Sequence, residues 1–267
     1  MKKRRKNLFG IFCGVLTALV VLLIGCIIGV IAVGGLKELP GHIVRKETLF
    51  ALWMSVKSAC ISTILCMLLA IPAAYTLARG RFALRSALET LLELTMSLPY
   101  IVLGLSLLIL FSSPAGKWLK ASGFPVVFSP AGIVMAQLAV NLPFAIRLVT
   151  TAFRSVDRRL ECVAGLLGAA PGQQFFSVLL PLCRRSLLSA VILVWSRALG
   201  EFGATLMLVG VTRMKTETLP ASIYLAVSGN DLGSALASAF LLLLLSAVSL
   251  GIANGLSRRG RKRGRYE

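Results

Sequence analysis

The chain has 267 residues, of which 57% are hydrophobic and only 15% charged, with a mean hydropathy of +0.86. Soluble domains average about 45–50% apolar and about 25% charged residues, so a soluble globular protein is excluded. The net charge of +19 does not indicate nucleic acid. Lys2, Lys3, Arg4, Arg5 and Lys6 stand at one end, Arg258, Arg259, Arg261, Lys262, Arg263 and Arg265 at the other, and the stretch between resembles hydrocarbon. No aromatic platform is interleaved with them. Such ends read as topology signals with affinity for anionic lipid headgroups.

A bilayer core of roughly 30 Å takes about 20 apolar residues as helix, and six runs meet that need. The first, Leu8 to Val33, carries no charge; it is too long for the apolar region of a cleaved leader, which is about 7–15 residues, and is expected to be retained. Ser58 to Ala78, Leu94 to Gly116 and Ala121 to Ile146 are also uncharged. The fifth, Leu187 to Val211, is interrupted by Arg197 and Glu201, and the sixth is Leu232 to Ser257. Pro72, Pro99 and Pro143 fall inside these runs, which packed membrane helices tolerate as kinks. They either shape a pathway or simply fit neighbouring helices.

The basic residues then orient the chain. With the N-terminus inside, the inner segments hold both basic ends, Arg79, Arg81, Arg85, and Arg154, Arg158, Arg159, Arg184, Arg185. The outer segments hold fewer: Lys37, Arg45, Lys46, Lys117, Lys120, Arg213 and Lys215. The bias places both termini in the cytoplasm. The expected organisation is a basic segment, first helix and outer loop over 1–50, a transmembrane domain over 51–257, and a basic tail over 258–267.

Neither cysteine nor histidine offers a metal or disulfide framework. Cys13, Cys26, Cys60 and Cys66 sit in apolar runs, Cys162 and Cys183 in an inner loop, and His42 is the single histidine, so reduced thiols are expected.

The longest inner loop, 154–186, holds the most information. Asp157 suits an N-cap before Arg158-Arg159-Leu160-Glu161, with Glu161 in the first turn. Gly168 and Pro171-Gly172 force a turn, and a second short helix starts at Pro171 and runs towards Pro181. Two short helices with exposed apolar residues form either a docking surface or helices lying on the lipid interface. In the fifth span, Glu201 follows Arg197 by four residues, so the two are expected to pair on one helix face near mid-membrane. Ser196, Gly200 and Ala204 give that span a small-residue face.

Two stretches carry a family resemblance. Glu161-Cys162-Val163-Ala164-Gly165-Leu166-Leu167-Gly168-Ala169, followed by Phe175-Phe176-Ser177-Val178-Leu179-Leu180-Pro181, resembles the EAA loop of permease subunits of binding-protein-dependent ATP-binding-cassette importers. Cys162 and Val163 replace the more usual alanines. Arg197-Ala198-Leu199-Gly200-Glu201-Phe202-Gly203-Ala204-Thr205 is similar to the corresponding helix of molybdate permeases and is shared in part with sulfate permeases. Ser97-Leu98-Pro99-Tyr100 and Leu219-Pro220-Ala221-Ser222 are similar to the same subfamily.

The resemblance, over roughly Leu52 to Leu256, implies an all-α type I importer permease in a prokaryotic plasma membrane, carrying molybdate or tungstate, with sulfate as the alternative. Glu161, Ala164, Gly168, Ala169 and Pro181 would couple to the ATPase. Arg197, Gly200, Glu201, Gly203 and Thr205 would line the pathway or dimer interface. The implied partners are a second copy of the chain, two ATPase subunits, an extracytoplasmic oxyanion-binding protein and membrane lipid, with no cofactor. The sequence has no GxxxxGK[ST] phosphate loop, so ATP hydrolysis falls to a separate subunit. A membrane enzyme would need a His/Asp/Glu constellation, and a secondary transporter inverted repeats or several intramembrane carboxylates. Neither pattern is found.

Overall fold

The computed structural model describes residues 2–263 apart from Val44 and Arg81, with side chains left undescribed at 1–11, 254 and 256–267. The basic clusters at the two ends and Arg81, counted above for orientation, therefore lie outside the described side chains. Among the described residues the chain is wholly helical. In order the helices are α1 (Lys2–His42), α2 (Lys46–Arg79), α3 (Arg85–Ser97), α4 (Tyr100–Ser112), α5 (Pro114–Ala121) and α6 (Pro130–Arg154). They continue with α7 (Arg158–Leu166), α8 (Pro171–Gln173), a π-helical stretch Gln174–Leu179, α9 (Leu180–Leu199), α10 (Gly203–Val209), α11 (Leu219–Ser228) and α12 (Leu232–Arg263). Among the described residues five helices are long and apolar enough to cross a membrane, or six if the bent pair α3–α4 is one span.

Small residues decide how these helices pack. The buried face of α2 carries Ala51, Ser55, Ser58, Ala59, Ser62, Thr63, Cys66, Ala70 and Ala74. That face lies mainly against α6, with α9 and α11 meeting it at Ala59 and Ala51. In lipid there is no hydrophobic drive between helices, so close backbone approach by small residues supplies the attraction. The large apolar side chains point the other way: α1 exposes Leu19, Leu22, Leu23 and Val33, as a lipid-facing helix should. It crosses α12 at Gly35, where a Cβ would lie 2.3 Å from Phe240 Cβ. Beyond that crossing His42 Nδ1 donates to Ser234 Oγ at 3.0 Å, and Ser234 passes its own hydrogen to Asp231 Oδ2 at 2.7 Å. Hydrogen bonds from the Ser234 side chain and backbone hold the Asp231 carboxyl below the usual carboxylate range.

Three spans differ from the sequence expectation. The third is broken at Leu98-Pro99, with α3 and α4 bent by 107°; Pro99 lacks the N–H that would continue the ladder. The fourth begins at Pro130 rather than Ala121, because Gly123 takes φ +92° and ends α5. Ser129 then caps α6, its hydroxyl accepting from Gly132 N at 3.4 Å. The fifth stops at Leu199 and resumes as α10 after Gly200-Glu201-Phe202. At its inner end it does not start afresh after Pro181: α8, the π-helical stretch and α9 form one continuous run, Pro171–Leu199. Pro181 occupies the first turn of α9, directly after the widened π-helical hydrogen bonding, where a proline is accommodated.

The thiols also separate. Cys162 is exposed, whereas Cys183 is buried with its Sγ 3.3 Å from Ala152 O. An impermeant maleimide is therefore expected to label Cys162 in inverted vesicles and not in intact cells, with Cys183 unreactive in both. Labelling of Cys162 from outside intact cells would overturn the cytoplasmic assignment of this loop.

Candidate functional site: the loop before α9 and the break after it

The loop between α6 and α9 folds as its sequence dictates at both helix starts. Asp157 Oδ1 accepts from Arg159 N at 2.9 Å and so caps α7. Pro171 opens α8, and Gln173 Oε1 accepts from Ala170 N at 2.9 Å. Between them Gly168 takes φ +91°. Ala169 N donates to Ala164 O and Gly168 N to Gly165 O, each at 3.0 Å. This is the paired hydrogen bonding of a Schellman stop, which wants a residue without Cβ at Gly168. Gln174 Nε2 then donates to Ala169 O at 2.8 Å and closes the turn.

Glu161 stands in the first turn of α7, as expected. It is buried, and Arg79 Nη2 at the end of α2 lies 2.6 Å from its Oε1. The contact is an ion pair whose angle falls short of a hydrogen bond. Arg79 Nη2 also donates to Val156 O at 3.1 Å. Glu161 thus straps the loop to α2. Phe175 anchors the other side, meeting Tyr75 at 5.1 Å and Phe153 at 6.0 Å between ring centroids, edge to face. What the loop does present is apolar: Leu166 is 88% and Leu167 84% exposed, with Val163 and Phe176 beside them. Ala164, Gly168 and Ala169 line a hollow of about 450 Å³ next to these leucines, and Pro181 is exposed on the adjoining helix.

The second zone lies at the break after Leu199. Arg197 and Glu201 were expected to pair along one helix face, and the break separates them. Glu201 turns inward, 4% exposed, and its Oε1 accepts from Ala204 N at 2.8 Å in the first turn of α10. Arg197 finds other partners. It donates to the Tyr100 hydroxyl and places its guanidinium 4.6 Å from the Phe144 ring centroid and 5.4 Å from that of Tyr100. The small-residue face of Ser196, Gly200 and Ala204 is likewise interrupted, with Gly200 exposed in the break.

Gly203 approaches α4 instead: a Cβ there would lie 3.3 Å from Tyr100 Cβ. Gly104 seals the same crossing, since a Cβ would lie 2.6 Å from Ala204 Cα. Thr205 is buried on this helix with its hydroxyl unpartnered. Tyr100, Phe144 and Arg79 were not singled out from the sequence. The signal for Tyr100 was its place directly after Pro99 in the stretch already noted.

The binding-protein-dependent transport system inner membrane component family matches residues 67–262. The chain belongs to this family. Among permeases of the family, the molybdenum transport system permease protein ModB of Mycobacterium bovis is 41% identical over 76% of this chain and 77% of its own length. The sulfate transport system permease protein CysW of Escherichia coli is 32% identical over 84% and 78%. A crystal structure of a bacterial ABC transporter involved in the import of the acidic polysaccharide alginate superposes with TM-score 0.74 at 18% identity, covering 96% of each chain. An inward-facing MetNI methionine ABC transporter superposes with TM-score 0.65 at 17% identity, over 80% of this chain and 95% of that one. The fold is that of an importer permease, and the chain is a multi-pass membrane transport subunit.

Proposed function

We propose that the chain forms the translocation pathway of an ATP-driven molybdate importer, as a homodimer with two cytoplasmic ATPase subunits and an extracytoplasmic oxyanion-binding protein. The observation that carries the substrate is the 41% identity to a molybdenum permease over about three quarters of both chains. Sulfate is the second reading, on the lower identity to CysW.

The loop supports coupling. Leu166 and Leu167, with the hollow beside Ala164, Gly168 and Ala169, offer an apolar plug and a socket on a surface held rigid by Arg79–Glu161 and Phe175. Exposed leucines of this kind outside the membrane call for a protein partner. At the break, Arg197 supplies the positive charge that an anion crossing a low-dielectric core requires. Both termini and the α7–α8 loop face the cytoplasm in this reading.

The test is growth and uptake. A strain lacking the gene is expected to lose growth on limiting molybdate and to recover it with the cloned gene, and excess sulfate should not block the recovery. Loss of recovery with excess sulfate, together with competition of sulfate for uptake, would move the assignment to sulfate.

A further inference from the structure

Below the Arg197 break, towards the cytoplasm, α6 carries a second cationic feature that the sequence reading left aside. Phe144, Arg147, Thr151 and Arg154 follow one another at spacings of three and four along α6, so they share one helix face. Arg197 touches the top of this file through Phe144. The lower part opens on a cavity of about 250 Å³ between α3 and α6, lined by Glu89, Glu93, Arg147, Thr150, Thr151 and Arg154 among others. One water needs about 10–15 Å³ of such space, so a five-atom anion fits with part of its hydration.

The polar groups here are not all satisfied by one another. Glu89 accepts from both Arg154 and Arg85, so that carboxylate is already outnumbered. The Arg147 guanidinium has no hydrogen bond or ion pair among the described residues, while its carbonyl accepts from Thr151 Oγ1 at 2.9 Å. Thr150 is 6% exposed, and its hydroxyl has no partner. An unpaired arginine about 10 Å from the inner end of a span, beside an unpaired buried hydroxyl, marks an ion path more readily than a packing contact.

We propose that this cavity is a transient inner site for a tetrahedral oxyanion, held by the Arg147 guanidinium with the Thr150 hydroxyl turned towards it. The site rests on the reading of the chain as an oxyanion permease. Glu93 keeps it weak. Conduction needs sites that admit an ion yet release it, and a carboxylate in the wall drives a dianion onward to the cytoplasm. Both the transported anion and a lipid phosphate carry the required chemistry, and the experiment separates them.

The permease–ATPase complex, without binding protein or nucleotide, is placed in nanodiscs of phosphatidylcholine alone or with added phosphatidylglycerol. Equilibrium binding of radiolabelled molybdate and retained lipid are measured on each. Arg147→Gln and the isosteric Thr150→Val are each expected to weaken molybdate binding by about tenfold, the loss of one hydrogen bond to a charged group. Arg147→Lys should keep most of the binding, and Glu93→Gln should tighten it by about threefold as a like charge leaves. If the parent binds no molybdate but retains phosphatidylglycerol in an Arg147-dependent way, the oxyanion site stands with a headgroup as its occupant. Variants that assemble with the ATPase and hold molybdate and lipid like the parent overturn it. Molybdate uptake by the parent with its binding protein, measured separately, tests the transport reading itself. Uptake with an Arg147-independent cavity would sink only the site.

Discussion

Glu161→Lys is expected to abolish ATP-driven uptake and to release the permease from its ATPase while the helices remain inserted. The pair Arg79–Glu161 is buried, with side chains 11% and 8% exposed. Removing one partner of a buried pair costs about 3–5 kcal/mol, because the other charge is left uncompensated. Lysine adds a like charge at the same contact. A short loop helix such as α7 (Arg158–Leu166) has little stability of its own, so a loss of that size detaches it from α2. Glu161→Gln, which keeps an acceptor, should retain part of the activity, and Arg79→Glu with Glu161→Arg should recover some of the loss. Uptake and co-purification with the ATPase are the measurements. A Glu161→Lys protein that transports like the parent would remove the strap from the mechanism.

The second large effect concerns Arg197→Met. An arginine near mid-membrane costs about 2.5–3.5 kcal/mol on insertion scales, so its removal should leave insertion as good as the parent's or better. Lost cation–π contact with Tyr100 and Phe144 works the other way, by about 2 kcal/mol when desolvated, and the two nearly offset. Folding should therefore survive while oxyanion uptake falls by tenfold or more. Transport unchanged in Arg197→Met would exclude this residue from the pathway. The exchange Arg197→Glu with Glu201→Arg is expected to give no rescue, because Glu201 accepts from Ala204 N and makes no ion-pair contact with Arg197.

The long elements were legible in the sequence because an uncharged run of span length has few alternatives. The first, second and sixth spans fall within α1, α2 and α12. So were the loop's helix starts, since Asp157 and Pro171 sit where caps and first turns want them. What composition does not carry is a break inside an apolar run. Leu187 to Val211 stays hydrophobic across Gly200-Glu201-Phe202, and only tertiary contact, with Gly104 meeting Ala204, makes two helices of it. The Arg197–Glu201 expectation failed there because i, i+4 spacing assumes an unbroken helix. The start of α6 was available and passed over: Gly123, Pro125, Ser129 and Pro130 are stop and start residues lying within an apolar stretch. The role of Glu161 was hidden for another reason, since its partner Arg79 is distant in sequence and was counted only as a topology charge.

One continuous run, Pro171–Leu199, joins the α7–α8 loop to the break before α10. Its 29 residues make a shaft of about 43 Å at the usual rise per residue. Mechanically it is a pointer whose root protrudes at Pro171 and whose far tip ends at Gly200. A swing of about 10° at the protruding end carries the tip sideways by about 7 Å, on the same rise, more than the diameter of a small anion. In the coupling proposed above, a stroke applied to the loop would reach Arg197 through this one helix.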